Sequence, residues 1–343
     1  MDPILRIRNL SVDYKVREGI LAAVEGVDLD IEQGRITAVI GESGCGKSTL
    51  TAAILGITAP NAVIREGSGM LFHDRDLLRL SPKELRMFRW NEASMVFQAA
   101  QNALNPTMRI EDQFLDTVFD HDAGVSRGQA KAKVADLLRL VRLDPARVLR
   151  SYPHELSGGM RQRCVIALSL VLDPEFVLLD EPTTALDTII QSHIFDILLD
   201  IHAKRGLTMV LVTHDMTAAM MLAHRIVIMY GGKVLETGET EEVFQRPLHP
   251  YTAGLINAIP SISGSELRCK PIHGPPLDLL NKPSGCVFHP RCPAAEEACR
   301  AEAPELAAVP GSRPLTTSGG GTSSHKSSFD RQVACLKKAD GPS

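Results

Sequence analysis

The stretch Gly41-Glu-Ser-Gly-Cys-Gly-Lys-Ser48 decides the fold class of this 343-residue chain. It follows the pattern G-x-x-x-x-G-K-[ST]. The apolar run Ile36–Ile40 before it is typical of a buried strand, and Thr49–Leu55 after it is typical of a helix. In a strand–turn–helix unit of this kind, backbone N–H groups and the helix N-terminus face an anion. The sequence therefore predicts a phosphate-binding loop.

Each residue type in this loop has a chemical reason. Gly41, Gly44 and Gly46 permit backbone conformations and close approaches that a side chain would block. Lys47 is expected to reach the β- and γ-phosphates of a nucleotide, and the Ser48 hydroxyl to bind Mg²⁺. A glycine-rich turn without a ligand is the alternative, and the flanks on both sides disfavour it. The expected nucleotide contacts are Gly41, Ser43, Gly44, Cys45, Gly46, Lys47, Ser48 and Thr49.

The composition is that of an ordinary globular protein, with 44% hydrophobic and 23% charged residues. A net charge of −4 argues weakly against a nucleic-acid partner. No run approaches the roughly 18 apolar residues that span a bilayer, and the N-terminus has no signal-peptide core, so we expect a cytosolic chain. Seven cysteines in such a chain favour ligand or packing roles over disulfides.

Two alternating runs, Leu5–Val12 and Val24–Ile31, predict antiparallel strands ahead of the loop. Tyr14 ends the first strand, where its ring could stack on a base or simply be a strand tyrosine. After the loop, Met95-Val-Phe-Gln98 predicts a short strand that ends in an amide. Residues 99–106 have loop character, and Ile110–Leu143 has a helical pattern with Ser126 as a plausible N-cap. Residues 99–153 together predict a helical insertion.

Two later stretches point to the same kind of site. Leu156-Ser-Gly-Gly-Met160 opens a helix with a glycine pair, which predicts a second anion-facing backbone. The buried strand Phe176–Glu181 ends in the carboxylates of Asp180 and Glu181. The next buried strand delivers His214 to the same edge, where open α/β sheets bind ligands.

The alternation of buried strands and helices predicts an α/β fold with a mostly parallel sheet. Local signals add a capping box at Ser81 and Glu84, helix ends at about Leu172 and at Gly206, and a hairpin around Gly231-Gly232. After Gln245 prolines become frequent, which indicates a boundary. We therefore expect a nucleotide-binding domain over residues 1–245, with its helical subdomain at about 99–153, and a C-terminal extension over 246–343. Within the extension, Ser318–Ser324 is expected to be flexible.

This ordered set of motifs resembles the ATP-binding subunits of ABC transporters over roughly residues 4–245. The motifs are Gly41–Ser48, Gln98, Leu156–Met160, Val177-Leu-Leu-Asp-Glu-Pro182, Ala185-Leu-Asp187 and Val212-Thr-His-Asp215. The resemblance implies a P-loop NTPase core with an N-terminal antiparallel β subdomain, and ATP with Mg²⁺ as cofactors. Met160 stands where many members have Gln, and Cys45 where Ser is common; neither change removes a catalytic group.

The resemblance also implies a role for each matched residue. Asp180 would hold hydrated Mg²⁺, and Glu181 would act as general base on the attacking water. Gln98 would sense Mg²⁺ and the γ-phosphate, and His214 would contact that phosphate. The remaining roles are adenine stacking for Tyr14, communication across a dimer for Asp187, and binding of the opposite subunit's ATP for Ser157, Gly158 and Gly159.

The C-terminal region resembles the oligopeptide/dipeptide/nickel importer ATPases over about residues 246–300. The matching stretches are Arg246-Pro-Leu-His-Pro-Tyr-Thr252 and Gly285-Cys-Val-Phe-His-Pro-Arg-Cys292. This implies a D- or F-type subunit on the cytoplasmic face of the membrane. Its partners would be a second ATPase in a head-to-tail dimer, here expected to be a heterodimer, two permeases and an extracytoplasmic binding protein.

Four cysteines of the extension, Cys286, Cys292, Cys299 and Cys335, form a C-x5-C-x6-C-x35-C series. Four thiolates can hold a 4Fe-4S cluster or Zn²⁺. Some members of the resembled subfamily carry an iron–sulfur cluster here, so the cluster ranks first, ahead of reduced cysteines without metal and of zinc. Cys269 is given no metal role, and Cys164 is expected in the core. Cys45 is expected to be a reactive thiol that ATP protects.

The sequence is compatible with three classes of function. The leading one is ATP-driven import of peptides or related solutes, with nickel or metallophore complexes as the alternative cargo. A soluble ABC ATPase of DNA repair or translation usually carries a coiled-coil insertion or two fused halves, and neither is present. A non-enzymatic regulatory subunit would need a degenerate site, whereas Glu181 and His214 are intact.

Overall fold

The computed structural model describes residues 2–98, 102–122, 124–184, 186–259, 261–263, 266–268, 271–309 and 331–336. The expected flexible stretch Ser318–Ser324, together with Ala185 and Cys269, lies outside these residues. The chain separates into two compact units. The first contains the described residues up to Gln33, then Thr37–Leu78, and those from Thr213 onward. The second contains Gly34–Ile36 and the described part of Arg79–Val212.

The strands in chain order are β1 Pro3–Val16, β2 Gly19–Glu32, β3 Ile36–Ile40, β4 Ala62–Ile64, β5 Gly69–Phe72, β6 Arg75–Asp76, β7 Ala93–Val96, β8 Phe176–Asp180, β9 Thr208–Thr213, β10 Arg225–Tyr230, β11 Lys233–Glu239, β12 Ser261–Ser263, β13 Glu266–Arg268, β14 Ala307–Ala308 and β15 Gln332–Val333. The helices are α1 Lys47–Ile54, α2 Pro82–Asn91, α3 Ile110–His121, α4 Arg127–Leu140, α5 Pro145–Val148, α6 Gly158–Ser169, α7 Thr188–Arg205, α8 Met216–Leu222, α9 Thr240–Gln245, α10 Pro250–Asn257 and α11 Glu297–Ala301.

The first unit contains the predicted antiparallel sheet, in the order β2-β1-β5-β6, with β4 also paired to β1. Both long strands exceed the predicted runs, because the alternating pattern fades before the pairing ends: Tyr14 still pairs with Leu21. In the same unit β3 runs parallel to β10, and β10 forms the predicted hairpin with β11 around Gly231.

The C-terminal extension contributes to the hydrophobic core of the first unit. Phe288, 1% exposed, lies in one buried cluster with Ile40 of β3 and Tyr230 of β10. The short strand β15 adds to β11 in antiparallel register. The strand that precedes the phosphate loop is therefore packed against side chains that lie more than two hundred residues further along the chain.

The second unit contains three parallel strands, β7, β8 and β9, whose residues are buried at nearly every position. Helices surround them, so the predicted α/β class with parallel strands is confirmed. The predicted helical insertion contains α3, α4 and α5, and its first residues, 99–101, lie outside the described part. The helical pattern from Ile110 to Leu143 corresponds to α3 and α4, and Ser126 is the N-cap of α4 as predicted.

Local signals explain several element ends. Ser81 and Glu84 form the predicted capping box of α2, and α7 ends at Gly206 in the left-handed conformation (φ 60°). Helix α6 ends at Ser169, three residues before the predicted Leu172. None of the helices in the described residues is long and apolar enough to cross a membrane.

Candidate functional site

The predicted phosphate loop lies in the first unit, between the fully buried β3 and the start of α1. Gly46 is the N-cap of α1 and has a φ of 106°, a conformation that L side chains rarely adopt. A Cβ atom at Gly46 would lie 2.2 Å from the carbonyl oxygen of Ala23, and one at Gly41 would lie 2.1 Å from that of Met229. The backbone of the first unit therefore requires glycine at both positions.

Lys47 is the first residue of α1 and is only 5% exposed. Its Nζ donates hydrogen bonds to the carbonyl oxygens of Gly41 (2.8 Å) and Glu42 (2.9 Å). The ammonium group is thereby held by the loop itself, where it can offer charge to a phosphate. Ser43, Gly44 and Ser48 are exposed, so the loop's outer residues and the Ser48 hydroxyl are open to a ligand.

Cys45 does not have the environment of a reactive thiol. It is 5% exposed, and its Sγ lies 3.8 Å from the Lys47 ammonium. Burial raises the pKa of the Cys45 thiol, although Lys47 opposes this shift. The expectation of ready alkylation was therefore wrong, because the side chain points into the loop. Cys164 is fully buried as expected, and burial raises the pKa of its thiol to about 12.

Tyr14 is half-buried, and its hydroxyl group lies 3.2 Å from the Thr49 Oγ1 in the first turn of α1. The end of β1 is thus attached to the helix that follows the phosphate loop. Tyr14 also pairs across the sheet with residues of β2 and β4, as an ordinary strand tyrosine does. The two roles expected for Tyr14, stacking on adenine and pairing as an ordinary strand residue, are compatible.

His214 follows β9 and is exposed in the first unit. Asp215 accepts hydrogen bonds from the backbone N–H of Thr217 (2.8 Å) and is the N-cap of α8. The backbone N–H of Asp215 donates to Thr213 Oγ1 (2.9 Å). This cap fixes the chain on both sides of His214 and leaves its imidazole at the surface.

In the second unit, a side-chain hydrogen bond connects two residues of the predicted site, Gln98 and Glu181. The side-chain amide of Gln98 donates a hydrogen bond to Glu181 Oε2 (2.8 Å), and Thr184 Oγ1 donates to the same oxygen (2.9 Å). Sequence reasoning missed Thr184, although it lies only three residues after Glu181. Asp180 ends β8 and is 4% exposed. Carboxylate and amide groups thus meet after the β7 and β8 strands.

Glu181 has a φ of 47°, which is uncommon for a residue other than glycine. Its backbone N–H donates to the carbonyl oxygen of Val212 (2.8 Å), so the residue stays attached to β9 after β8 has ended. Such backbone conformations persist where the surrounding structure over-determines them, and they cluster at functional sites. No sequence signal predicted this conformation.

The glycine-pair segment of the second unit opens α6. Ser157 caps the helix by accepting the N–H of Met160 (3.3 Å), and Gly158 and Gly159 form its first turn. A Cβ atom at Gly159 would lie 2.7 Å from the Ile190 Cγ2 of α7, so a larger residue here would have to displace the Ile190 side chain. The exposed Ser157 hydroxyl has a capping role in the structure beside the one expected for it.

Asp187 is the N-cap of α7 and accepts the N–H of Ile190 (3.0 Å). The first turn of α7 therefore contains both its N-cap, Asp187, and Ile190, the residue that lies against Gly159. Ala185, the first residue of the expected Ala185-Leu-Asp187 motif, lies outside the described residues. The predicted second-unit residues are thus placed at helix starts and strand ends, as their motifs imply.

The four cysteines of the extension line one small cavity of about 20 Å³, together with His249 and His289. The N–H of Cys286 donates to the carbonyl oxygen of Cys299 (2.8 Å). Among the described residues, however, no three His, Cys, Asp or Glu side chains are grouped closely enough to hold a metal ion. The four cysteines therefore share a cavity, which favours the expected metal site, but the described side chains are not arranged as ligands of a metal ion.

His249 adds an observation at this cavity. It is 1% exposed, and its Nδ1 accepts the backbone N–H of Tyr251 (3.0 Å). The proton of the neutral ring is consequently on Nε2, which is buried and has no hydrogen-bond partner among the described residues. Burial lowers the pKa of His249 to about 4. A neutral N–H donor is thus available beside the four thiols.

Comparisons with known proteins agree with this architecture. Residues 24–184 match the family model described as ABC transporter, and residues 235–299 match the model described as oligopeptide/dipeptide transporter, C-terminal region. The dipeptide transport ATP-binding protein DppD of Caldanaerobacter subterraneus is 46% identical over 89% of this chain and 93% of its own. The chain belongs to the ABC transporter family. Its resemblance to the ATP-binding subunits is confirmed, and it is an ATPase.

Two further relatives support the assignment. DppD of Bacillus subtilis is 40% identical over 87% of this chain and 89% of its own length. A solved ATP-binding cassette, described as a dimeric post-hydrolysis state bound to ADP and Pi, has a TM-score of 0.61 and 29% identity, and covers 69% of this chain and 98% of its own. The α/β cassette fold expected from the motifs is therefore confirmed.

Proposed function

We propose that this ABC ATPase drives the import of peptides through a membrane permease. The observation that carries the proposal is the C-terminal match over residues 235–299, because the ATP-binding core alone does not distinguish cargo. The relatives named above are dipeptide transport proteins. The packing of Phe288 into the core of the first unit supports an extension that belongs to the working cassette. We propose that the nucleotide-binding domain ends at residue 245 and that the C-terminal extension begins at residue 246.

For the first unit, we propose that the Gly41–Ser48 loop and Thr49 hold the ATP phosphates, with Lys47 supplying charge. Tyr14 stacks on adenine, and His214 contacts the γ-phosphate. Ser48 offers a hydroxyl oxygen and Asp180 of the second unit a carboxylate, both of which suit Mg²⁺. When bound, the ion neutralises charge that develops on the phosphates.

For the second unit, we propose that Glu181 polarises the attacking water and that Gln98, bonded to its carboxylate, reports the state of the γ-phosphate. Ser157, Gly158 and Gly159 bind the ATP of the opposite subunit, and Asp187 communicates across the dimer. The helix start at Ser157 supports this, since exposed N–H groups at a helix N-terminus favour an anion. A head-to-tail dimer, expected to be a heterodimer, is thereby required.

The proposed partners are a second ATPase subunit, two permease subunits and an extracytoplasmic binding protein. The cassette would lie on the cytoplasmic face of the membrane. Hydrolysis would close and open the dimer, and the helical insertion would pass this movement to the permease.

We also propose that the four cysteines hold a 4Fe-4S cluster. A single Zn²⁺ needs all four sulfurs within about 2.3 Å of one ion, whereas a cluster binds each cysteine to a different iron. The observation that supports the cluster is that all four thiols line one cavity. The cavity would have to widen, and the Nε2–H of His249 could then donate to a cluster sulfur.

Uptake by the assembled transporter tests the importer proposal. The chain would be co-expressed with candidate permeases, a second ATPase subunit and a binding protein of the same importer family, and reconstituted in vesicles. We expect ATP-dependent accumulation of labelled dipeptides and oligopeptides, and none with Glu181→Gln. Accumulation of nickel complexes but not peptides would assign the alternative cargo, and ATP hydrolysis without uptake of either would contradict an import function.

A further inference from the structure

Arg291 connects the C-terminal extension to the phosphate loop. Its Nη1 and Nη2 donate to the two carboxylate oxygens of Glu42 at 2.7 and 3.0 Å, a two-point contact that only a guanidinium can make. Its Nε donates to the carbonyl oxygen of His273 (3.0 Å), and its Cζ lies 5.8 Å from the centre of the Tyr230 ring. The Arg291 side chain is 8% exposed, so the ion pair is shielded from water.

Glu42, the partner of Arg291, is the second residue of the loop. Its backbone N–H donates to the hydroxyl oxygen of Tyr251 (3.0 Å), another residue of the extension. Its carbonyl oxygen accepts a hydrogen bond from the Lys47 ammonium (2.9 Å). The extension therefore holds Glu42 by its side chain and its backbone, and Glu42 in turn holds Lys47.

The ion pair between Arg291 and Glu42 also changes the net charge of the phosphate loop. Glu42 is an acidic residue within a loop that receives phosphates, where an unpaired carboxylate would repel the ligand. Arg291 neutralises it, and the hydrogen bonds to Glu42 raise the pKa of Arg291 above its usual value. Loss of Arg291 would leave a half-buried negative charge on the residue whose carbonyl group positions Lys47.

We propose that Arg291 is a positioning residue for the phosphate loop: it holds Glu42 in place and cancels its charge, and so sets the affinity for ATP. This inference rests on the proposed role of Gly41–Ser48 as the ATP cradle. Through Arg291 the extension completes the nucleotide site of the first unit. Arg291 directly precedes Cys292, so the same turn borders the cysteine cavity.

ATP titration of the full-length chain, of an Arg291 variant and of a double variant tests the proposal. Arg291→Met is expected to weaken ATP binding about five- to tenfold, within the range of coupling between neighbouring sites. Adding Glu42→Gln removes the unpaired charge and should restore most of the affinity. Arg300→Met, which changes an exposed arginine of the same extension, is the matched control and should leave the affinity unchanged.

The outcomes separate this inference from the role of the loop. Lys47→Ala should abolish ATP binding; if it does not, the proposed cradle is wrong. If Lys47→Ala fails to bind while Arg291→Met binds like the parent, the inference alone is overturned. Equal weakening in Arg291→Met and in the double variant would also overturn it, since lost packing would then be the cause. If Arg291→Met does not fold, Arg291→Lys decides: about threefold weaker binding supports the proposal and parental affinity contradicts it.

Discussion

The side-chain amide of Gln98 donates a hydrogen bond to the carboxylate of Glu181, with 2.8 Å between Nε2 and Oε2. The two residues are 83 positions apart in the chain; Glu181 directly follows β8, and Gln98 follows β7 after one intervening residue. The Gln98 amide and the Thr184 hydroxyl both donate to Oε2 of Glu181, so two side chains fix the orientation of this carboxylate. This arrangement suits a role of Glu181 as a general base whose position depends on Gln98.

Glu181→Gln should reduce ATP turnover by about 10²- to 10⁴-fold, because an amide cannot accept a proton from water. ATP affinity should stay within about threefold of the parent, since the substitution preserves shape and hydrogen bonding. Steady-state phosphate release and ATP titration measure the two effects. Glu66→Gln, at an exposed position of the first unit, is the control and should change neither. Near-normal hydrolysis by Glu181→Gln would refute the assigned base.

Gly44 and Gly46 provide a matched pair for the backbone of the phosphate loop. Both have positive φ, but a Cβ at Gly44 meets nothing within 4 Å, whereas one at Gly46 lies 2.2 Å from Ala23 O. Gly44→Ala should destabilise the chain by about 1 kcal/mol, the conformational cost alone. Gly46→Ala should cost about 2–3 kcal/mol more, because a backbone atom must move.

Thermal unfolding of both glycine variants checks this difference. Gly46→Ala is expected to have the lower melting temperature by several degrees. Equal melting temperatures for the two variants would show that the first unit can relax around the added methyl group, contrary to the close approach seen at Ala23.

Sequence signals that act within a few residues predicted much of this fold. The capping box at Ser81, the left-handed end of α7 at Gly206 and the hairpin at Gly231 each depend on local backbone chemistry, and each was located correctly. The strands β3 and β8 were equally clear from their short apolar runs, and every residue of both strands is buried.

Features that depend on distant residues could not be predicted in this way. The pair of Glu42 and Arg291 joins positions 249 residues apart, and neither residue lies in a pattern that names its partner. The burial of Cys45 depends on packing against Gly41 and Lys47 rather than on the motif. The motifs name the candidate site residues, whereas the contacts between distant residues that hold them in place are visible only in the structure.

The cysteine series makes a chemical prediction. Full-length protein purified without oxygen should be brown and contain about four irons per chain. Cys292→Ser should lose most of this iron, because Cys292 lines the shared cavity. Cys164→Ala, a change at a fully buried cysteine outside that cavity, is the control and should retain it. One zinc per chain would identify a zinc site instead of an iron–sulfur cluster. A colourless chain that contains neither iron nor zinc would contradict both kinds of metal site.

Cys45 should resist alkylation in the folded chain. Burial raises the pKa of its thiol, so the reactive thiolate is scarcer at pH 8 than for an ordinary cysteine, and the sulfur is shielded as well. We expect labelling by iodoacetamide at least about tenfold slower than in the urea-unfolded chain, measured by mass spectrometry of the loop peptide. The rate should rise with pH through the alkaline range, since deprotonation of a thiol with a raised pKa is completed only there. ATP should add little protection, because the folded loop already covers the sulfur; native labelling as fast as in the unfolded chain, and blocked by ATP, would instead establish an accessible thiol beside the phosphates.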